Sequence, residues 1–105
     1  MTTYGGALTA LADPTRRTVF EMLAGSESTV GDLAEQLPIS RPAVSQHLKI
    51  LKDAHLVRVR PNGTRRVYSL DPDGLSAVRS YFEKFWNAAL ASYAAAVRER
   101  EGHER

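Results

Sequence analysis

The 105-residue chain contains no cysteine. This absence excludes disulfides, thiolate metal sites and thiol redox switches made by the chain itself. Histidine is scarce, and His47, His55 and His103 have no serine or carboxylate partner at a useful helical spacing. A glycine-rich phosphate loop and a nucleophile elbow are also missing from the sequence. We therefore expect no enzymatic activity, no cofactor and no metal site.

Long apolar runs are missing as well, and none approaches the length of a membrane span. Asp13, Arg16 and Arg17 interrupt the N-terminal segment in which a signal peptide would have its apolar stretch. The apolar content of 43% and the charged content of 25% are ordinary for a globular protein. The length suits a single domain over residues 1–105 with a modest core. These features predict a soluble cytoplasmic protein with no membrane partner.

Charge is unevenly distributed along the chain, although the formal net charge is only +2. Residues 41–66 contain seven basic residues and one acidic residue, whereas the rest of the chain contains seven basic and eleven acidic residues. A basic middle between acidic flanks is typical of a protein that binds a polyanion. Charge alone would equally suit a solvated surface, so the interpretation depends on which elements carry these residues.

Asp13-Pro14 separates two predicted helices, one over residues 3–12 and one from about Pro14 to Ala24. Asp is a favoured N-cap, and Pro is favoured at the first helical position. Arg16 and Arg17 fall in the first turn of the second helix, where the helix dipole disfavours cations. We therefore expect them to have a carboxylate partner in the fold, with a nucleic-acid phosphate as the less favoured alternative.

Residues 29–53 predict two further helices separated by a tight break. Thr29 begins the third helix with a capping-box pattern, Pro38 ends it, and Ser40 caps the fourth. The fourth helix is amphipathic, with polar and basic side chains opposite an apolar stripe of Val44, Leu48 and Leu51. This layout is typical of a helix-turn-helix that reads DNA.

The polar face of the fourth helix carries side chains that suit bases and phosphates. Arg, Gln and Ser can hydrogen bond to base edges, and here they occupy the first two turns, which enter the major groove in a recognition helix. Lysines further along the helix suit phosphates. The predicted DNA-contacting residues of this helix are Ser40, Arg41, Pro42, Ser45, Gln46, His47, Lys49 and Lys52.

Alternating residues predict strands over 56–60 and 66–70, joined by a hairpin turn at Asn62-Gly63. The hairpin has a basic tip, and we expect Arg60, Arg65 and Arg66 to contact the minor groove or the DNA backbone. Consecutive residues of a strand point to opposite faces, so Arg65 and Arg66 can both meet one DNA surface only if the tip twists. Otherwise one of them would pair with a protein carboxylate.

A long final helix is predicted from about Gly74 to about Arg100, followed by a GHER tail that we expect to fray. One apolar stripe consists of Leu75, Val78, Phe82, Phe85 and Ala89, and a second of Trp86, Leu90, Tyr93 and Val97. One stripe can pack on the domain and the other needs a partner, for which a second copy is the simplest candidate. A single wide core face and a small-molecule pocket at the dimer interface are the alternatives. The predicted interface residues are Leu8, Leu11, Phe82, Trp86, Leu90, Tyr93 and Val97.

The string SRPAVSQHLKILK, followed by Leu56-Val57 and a basic hairpin, resembles the ArsR/SmtB-type winged helix-turn-helix repressors. The resemblance also includes ALADPTRRTVFEMLA and the long last helix, and so covers nearly the whole chain. It implies a homodimer joined through the first and last helices, a partly palindromic operator and repression relieved by a signal. It places Ser40, Arg41, Ser45 and Gln46 at base- and phosphate-contacting positions.

The chain departs from this family at its known metal-sensing sites. Thr29 and Gly31 stand where many relatives have a cysteine pair, and neither can bind a soft metal. Residues 74–100 contain no histidine, whereas other relatives place Asp and His ligands on the last helix. The resemblance is therefore to a branch without these sites, and any effector would be an unidentified small molecule.

Together these patterns predict a mainly α-helical winged helix-turn-helix with about five helices and two strands, dimerising through its terminal helices. The predicted function is sequence-specific DNA binding by a dimeric repressor of its own or neighbouring promoters. A winged-helix module for protein–protein interaction, and an activator or dual regulator on the same fold, are the alternatives.

Overall fold

The computed structural model describes residues 3–103, and the side chains of residues 6–102. It contains five helices and one antiparallel hairpin: α1 (Thr3–Ala12), α2 (Pro14–Gly25), α3 (Val30–Gln36), α4 (Arg41–Asp53), β1 (Val57–Asn62), β2 (Arg65–Leu70) and α5 (Pro72–His103). The predicted winged helix-turn-helix is therefore confirmed. None of the helices in this part of the chain is both long enough and apolar enough to cross a membrane.

Side-chain caps set the helix starts that the sequence indicates. Asp13 accepts a hydrogen bond from the backbone N–H of Arg16 at 2.9 Å. Thr29 Oγ1 accepts from the backbone N–H of Asp32 at 3.2 Å, and Ser40 Oγ accepts from that of Ala43 at 3.3 Å. Each cap satisfies one of the N–H groups that the first turn of a helix leaves unpaired.

Asp71 starts α5 in the same way, and this start lies two residues before the predicted one. Its side chain accepts from the N–H of Asp73 at 3.0 Å, and its carbonyl accepts from the N–H of Leu75. Because Pro72 occupies the first helical position, Asp71-Pro72 forms the start of the helix. At its other end α5 includes Gly102 and His103, so the prediction of a frayed tail is wrong there. Glu104 and Arg105 lie outside the described residues.

Among the described side chains, neither Arg16 nor Arg17 forms the ion pair with a carboxylate that the sequence predicts. Arg16 Nε donates to the carbonyl of Ala10 at 2.7 Å, and Arg17 Nη1 donates to that of Leu11 at 3.2 Å. Both carbonyls belong to the last turn of α1, which has no intrahelical donor for them. The two cations lie at the favourable end of α1, which offsets their unfavourable position in α2.

The core lies where α4 meets α1, α2, α3 and the base of the hairpin. The predicted stripe of α4 is confirmed, since Val44, Leu48 and Leu51 are completely buried. The other fully buried large side chains are Val19, Leu33, Leu56 and Val57. This packing fixes the position of α4 and thereby that of its polar face.

The hairpin turn lies one residue later than predicted. Asn62 pairs with Arg65, so the two-residue loop is Gly63-Thr64. Gly63 adopts φ of +66°, a conformation that glycine permits at little cost. The loop between α2 and α3 also pairs with the sheet, because Ser28 and Tyr68 exchange backbone hydrogen bonds of 3.0 and 2.7 Å. The wing is therefore attached to the loop before α3.

Gly74 lies against the turn between α4 and β1. A Cβ atom at Gly74 would lie only 1.5 Å from the carbonyl oxygen of His55. His55 has φ of +61°, an uncommon conformation for a residue with a side chain. The turn after α4 and the first turn of α5 therefore meet backbone to backbone at this corner.

The last helix extends far beyond the domain. The radius of gyration is 19.4 Å, and the longest dimension is 71 Å. A compact domain of this length would have a radius of gyration of about 13 Å. Leu75 and Val78 pack against the core, but the large apolar side chains from Phe82 to Tyr93 are exposed. The prediction that one stripe packs on the domain is therefore wrong for most of the length of that stripe. Only the N-terminal part of α5 packs on the domain, and residues 82–103 form a projecting arm.

Candidate nucleic-acid interface

The polar face of α4 forms one exposed surface, as the sequence predicts. Its members are Arg41, Pro42, Ser45, Gln46, Lys49 and Lys52. The cap Ser40 is also exposed, and its oxygen is occupied by the N–H of Ala43 while its hydroxyl proton can still be donated. The arrangement can place short polar side chains at base edges and long cations at phosphates.

His47 lies on the flank of α4 that faces the start of α2, not on this exposed surface. It is partly buried, and its Nδ1 atom is buried without a hydrogen-bond partner. The hydrogen bond from the Arg16 N–H and the Arg16 charge are the larger causes that lower the pKa of the Asp13 carboxyl. His47 lies near this carboxylate, and a positive charge on its ring would lower that pKa further. A packing role between α4 and α2 therefore suits this position better than a contact with DNA.

Lys49 lies on the exposed surface, but its ammonium group is directed along the helix. Nζ donates to Asp53 Oδ2 at 2.9 Å. This hydrogen bond, together with the lysine charge, lowers the pKa of Asp53. Lys49 would have to break its ion pair with Asp53 to bind a phosphate. Lys52 forms no ion pair with the described side chains.

Arg60 is the wing arginine that pairs with a protein carboxylate. Its Nη2 donates to Glu27 Oε1 at 2.6 Å, across 33 residues of sequence. The alternative in which Arg65 or Arg66 takes this role is not seen, because neither forms an ion pair within the part of the chain whose side chains are described. The pair adds a side-chain contact to the Ser28–Tyr68 backbone pairing at the base of the wing.

A cleft of about 370 Å³ separates the wing tip from the start of α3 and α4. We call it the wing cleft. Although Arg65 and Arg66 lie on opposite faces of β2, both line it, so the tip brings them to one surface. The complete lining is Thr29, Val30, Gly31, Asp32, Glu35, Arg41, Thr64, Arg65 and Arg66.

Glu27 and Gly31 are site residues that sequence reasoning missed. Glu27 is isolated between two serines, and its partner is distant in sequence, so no local spacing reveals it. Gly31 stands inside a helix, where glycine costs stability and usually has a packing reason. That cost was a usable signal of a close neighbour, and the Arg41 guanidinium lies there, 3.5 Å from where a Cβ atom would stand.

The sequence matches a known protein over nearly the whole chain, and the fold matches solved structures over most of it. The profile of the family described as "Bacterial regulatory protein, arsR family" matches residues 13–59. The HTH-type transcriptional regulator Rv2034 of Mycobacterium tuberculosis is 54% identical over 107 aligned positions, which cover 99% of each chain. The chain belongs to the ArsR family. This ArsR-family protein is a DNA-binding transcriptional regulator, and its class is not enzymatic.

Two further similarities support this assignment. The transcriptional repressor SdpR of Bacillus subtilis is 38% identical over 74% of this chain and 87% of its own length. A crystal structure described as a possible transcriptional regulator for arsenical resistance is 42% identical. It superimposes with a TM-score of 0.68 over 82% of this chain and 94% of that one. The fold is thus one that is known for regulators of this family over most of the chain.

The described residues place no group of three or more His, Asp and Glu side chains where they could hold a metal ion. Thr29 and Gly31, at the positions of the cysteine pair of other members, line the wing cleft instead. In this chain that region faces the arginines of the wing and of α4.

Proposed function

We propose that this regulator is a homodimeric repressor that binds a partly palindromic operator in its own or a neighbouring promoter. The single observation that carries the proposal is the projecting arm, whose apolar side chains need a partner, beside an exposed recognition face. The naming of the Bacillus subtilis relative as a repressor supports the direction of regulation. Residues 1–105 would act as one cytoplasmic domain with dimerisation elements at both ends.

The size of the apolar arm supports a second copy as the partner. Residues 82–103 extend for about 33 Å at the rise of an α-helix. Trp86 is 65% exposed and Tyr93 is 71% exposed, and Phe82, Phe85 and Leu90 are also exposed. Soluble proteins rarely leave a contiguous apolar surface of this kind in water, and a two-fold axis lets identical arms cover one another.

The first helix offers a second part of the same interface. α1 packs against α5, and Leu8 is 44% exposed. Leu11 is partly buried against the core and Val97 is partly buried, so these two contribute less free surface than predicted. We propose that Leu8 and the arm form the dimer interface, with Leu11 and Val97 at its margins.

Dimerisation would give the recognition helices a two-fold relationship. Such dimers contact two half-sites about 34 Å apart, one helical turn of DNA, and operators share their symmetry. In this arrangement Ser45 and Gln46 would reach base edges, and Lys52 and Ser40 would contact phosphates. Arg65 and Arg66 would add wing contacts.

The test is footprinting on the promoter of the protein's own gene, combined with sedimentation at micromolar concentration. We expect a dimer that protects a partly palindromic segment and binds it at least about a thousandfold more tightly than a scrambled duplex. A module for protein–protein interaction would not discriminate between the duplexes. A wild-type monomer, or equal affinity for both duplexes, would refute the proposal. A promoter reporter separates repression, which lowers its output, from activation.

A further inference from the structure

The wing cleft collects three arginines from two parts of the fold. Arg41 comes from the first turn of α4, and Arg65 and Arg66 come from the start of β2. Among the side chains from residue 6 to residue 102, none of the three forms an ion pair. A guanidinium carries five N–H donors in a fork that suits carboxylates and phosphates. The cleft therefore presents several unused donors to one space.

The Arg41 guanidinium lies against α3, not in front of α4. A Cβ atom at Gly31 would lie 3.5 Å from Nη2 and 3.6 Å from Cζ of Arg41. The guanidinium is thus directed sideways along the protein toward the wing. A bidentate contact with a guanine edge requires the fork to point into the groove that α4 enters. Arg41 in this position cannot make that contact at the same time.

The acidic side chains of the cleft limit what it can hold. Asp32 and Glu35 contribute two carboxylates to the lining, against three guanidinium groups. The surplus of one positive charge suits a singly charged anion, whereas the carboxylates would repel a second one. The hydroxyl groups of Thr29 and Thr64 provide further donors. A phosphodiester carries one negative charge and matches this set.

We propose that the wing cleft holds one backbone phosphate of the bound DNA, and that Arg41 is a phosphate-binding residue and not a base-reading one. The inference rests on the proposed function and goes beyond it. Gly31 is the positioning residue, because a side chain no larger than a methyl group at this position leaves room for the guanidinium. Base reading by α4 then falls to Ser45 and Gln46.

The first experiment measures binding of a fluorescent operator duplex and of a scrambled duplex over a range of salt concentrations. Arg41→Gln is expected to weaken both duplexes by similar factors. It should lower the magnitude of the slope of log affinity against log salt by about 0.9 per protomer, one phosphate contact. Gln46→Ala is the matched comparison and should weaken the operator alone. If Arg41→Gln instead relaxes preference at one base pair and leaves the scrambled duplex unchanged, the inference is overturned.

The second experiment tests Gly31. Gly31→Leu should displace the guanidinium and reproduce the reduced salt slope of Arg41→Gln, with no further reduction when the two changes are combined. Gly31→Ala is the control, because its Cβ would meet Arg41 at an ordinary contact distance. It should bind as the wild type does. A normal salt slope for Gly31→Leu, with helicity intact by circular dichroism, would contradict the positioning role.

A final measurement separates DNA phosphate from a free oxyanion. At constant ionic strength, replacing chloride by inorganic phosphate should leave operator affinity unchanged in the wild type and in Arg41→Gln alike. A loss of affinity with phosphate in the wild type only would make the cleft a small-anion site and overturn the inference. If the wild type binds the operator and the scrambled duplex equally, the proposed function is refuted, but the change in salt slope of Arg41→Gln still tests the phosphate site in the cleft. If the wild type binds neither duplex, the proposed function and the phosphate site are both refuted.

Discussion

If the wing contacts DNA as proposed, Glu27 would limit how much positive charge the wing offers to it. Its carboxylate neutralises Arg60 across a 2.6 Å contact, although both side chains are about half exposed. We expect Glu27→Gln to release Arg60, raise affinity for any duplex and steepen the salt dependence by about 0.9 per protomer. Salt-dependent binding to a scrambled duplex measures this change.

A charge-neutral double variant controls for the change in net charge. Glu27→Gln combined with Arg60→Gln should restore the wild-type slope, and Arg60→Gln alone should leave that slope nearly unchanged. If Arg60→Gln alone flattens the slope as much as Arg65→Gln does, Arg60 contacts DNA in spite of its partner.

The Asp13 carboxyl group at the start of α2 should make the stability of the fold depend on pH. The backbone N–H of Arg16 holds the pKa of this carboxyl below its ordinary value of 3.8. A carboxyl with a lowered pKa in the folded state contributes stability that is full above its unfolded value and is lost as pH falls through the folded value. Asp13→Asn keeps an acceptor for the cap but cannot titrate. Between about pH 5 and pH 3 its melting temperature should therefore fall less than that of the wild type. Equal falls would show that Asp13 does not contribute to acid unfolding.

Residues whose partners are close in sequence were predictable. Thr29 and Ser40 each cap a helix through an N–H three residues ahead, a spacing that the sequence displays directly. Glu27 and Arg60 were not predictable as a pair, since their contact depends on how the hairpin folds back on the loop before α3. The partners of Arg16 and Arg17 were missed because they are backbone carbonyls, which no residue type marks.

At the scale of elements, the order and type of every helix and strand followed from local patterns, whereas some boundaries did not. The hairpin signal at Asn62-Gly63 suits a turn with both residues at positive φ. Here only Gly63 has positive φ, and the strands pair one residue further toward the tip. Register depends on packing of the strand faces, and Val67 is buried while both tip arginines stay exposed.

The corner between α4, β1 and α5 should be among the parts of the fold that least tolerate substitution. Gly74→Ala would place a methyl group into the His55 carbonyl, a backbone atom that cannot rotate away. We expect a loss of stability of about 3 kcal/mol, the upper part of the range for overpacking. Denaturant unfolding measures it.

Gly25→Ala is the matched control for this corner, since nothing lies within 4 Å of a Cβ there. It should be nearly neutral or slightly stabilising, because alanine is the better helix former. A Gly74→Ala variant as stable as Gly25→Ala would show that the corner opens at little cost.

At the scale of the whole molecule, the proposed dimer would depend on the face of α5 that the arm exposes. Trp86→Glu should prevent association, because each of two facing arms would bury an unpaired carboxylate. We expect a folded monomer by sedimentation, with operator affinity reduced by at least about a hundredfold, since one half-site then binds alone. A dimer of unchanged affinity would remove Trp86 from the interface.

Asn87→Glu adds the same charge at the next position along the helix, outside the apolar stripes, and is the control. It should remain a dimer. Dissociation of this variant as well would indicate that the partner surrounds the helix instead of covering one face.

The sequence predicted that α5 has more apolar surface than the domain can bury, but not where the excess lies. The two stripes adjoin on one broad face, and the same face packs on the core at Leu75 and Val78 and then continues into the arm. The division depends on where the globular part ends, which is a property of the entire fold and not of the helix pattern.

In the proposed dimer, the projecting arm would also determine how the regulator responds to its own abundance. A protein whose DNA-binding form assembles from two copies has operator occupancy that rises with the square of monomer concentration while most chains are unassembled. Doubling synthesis would then quadruple occupancy in that range. On its own promoter, such a protein would shut off its production over a narrow interval of concentration, so that the apolar side chains of a 22-residue arm would set the steepness of a feedback loop.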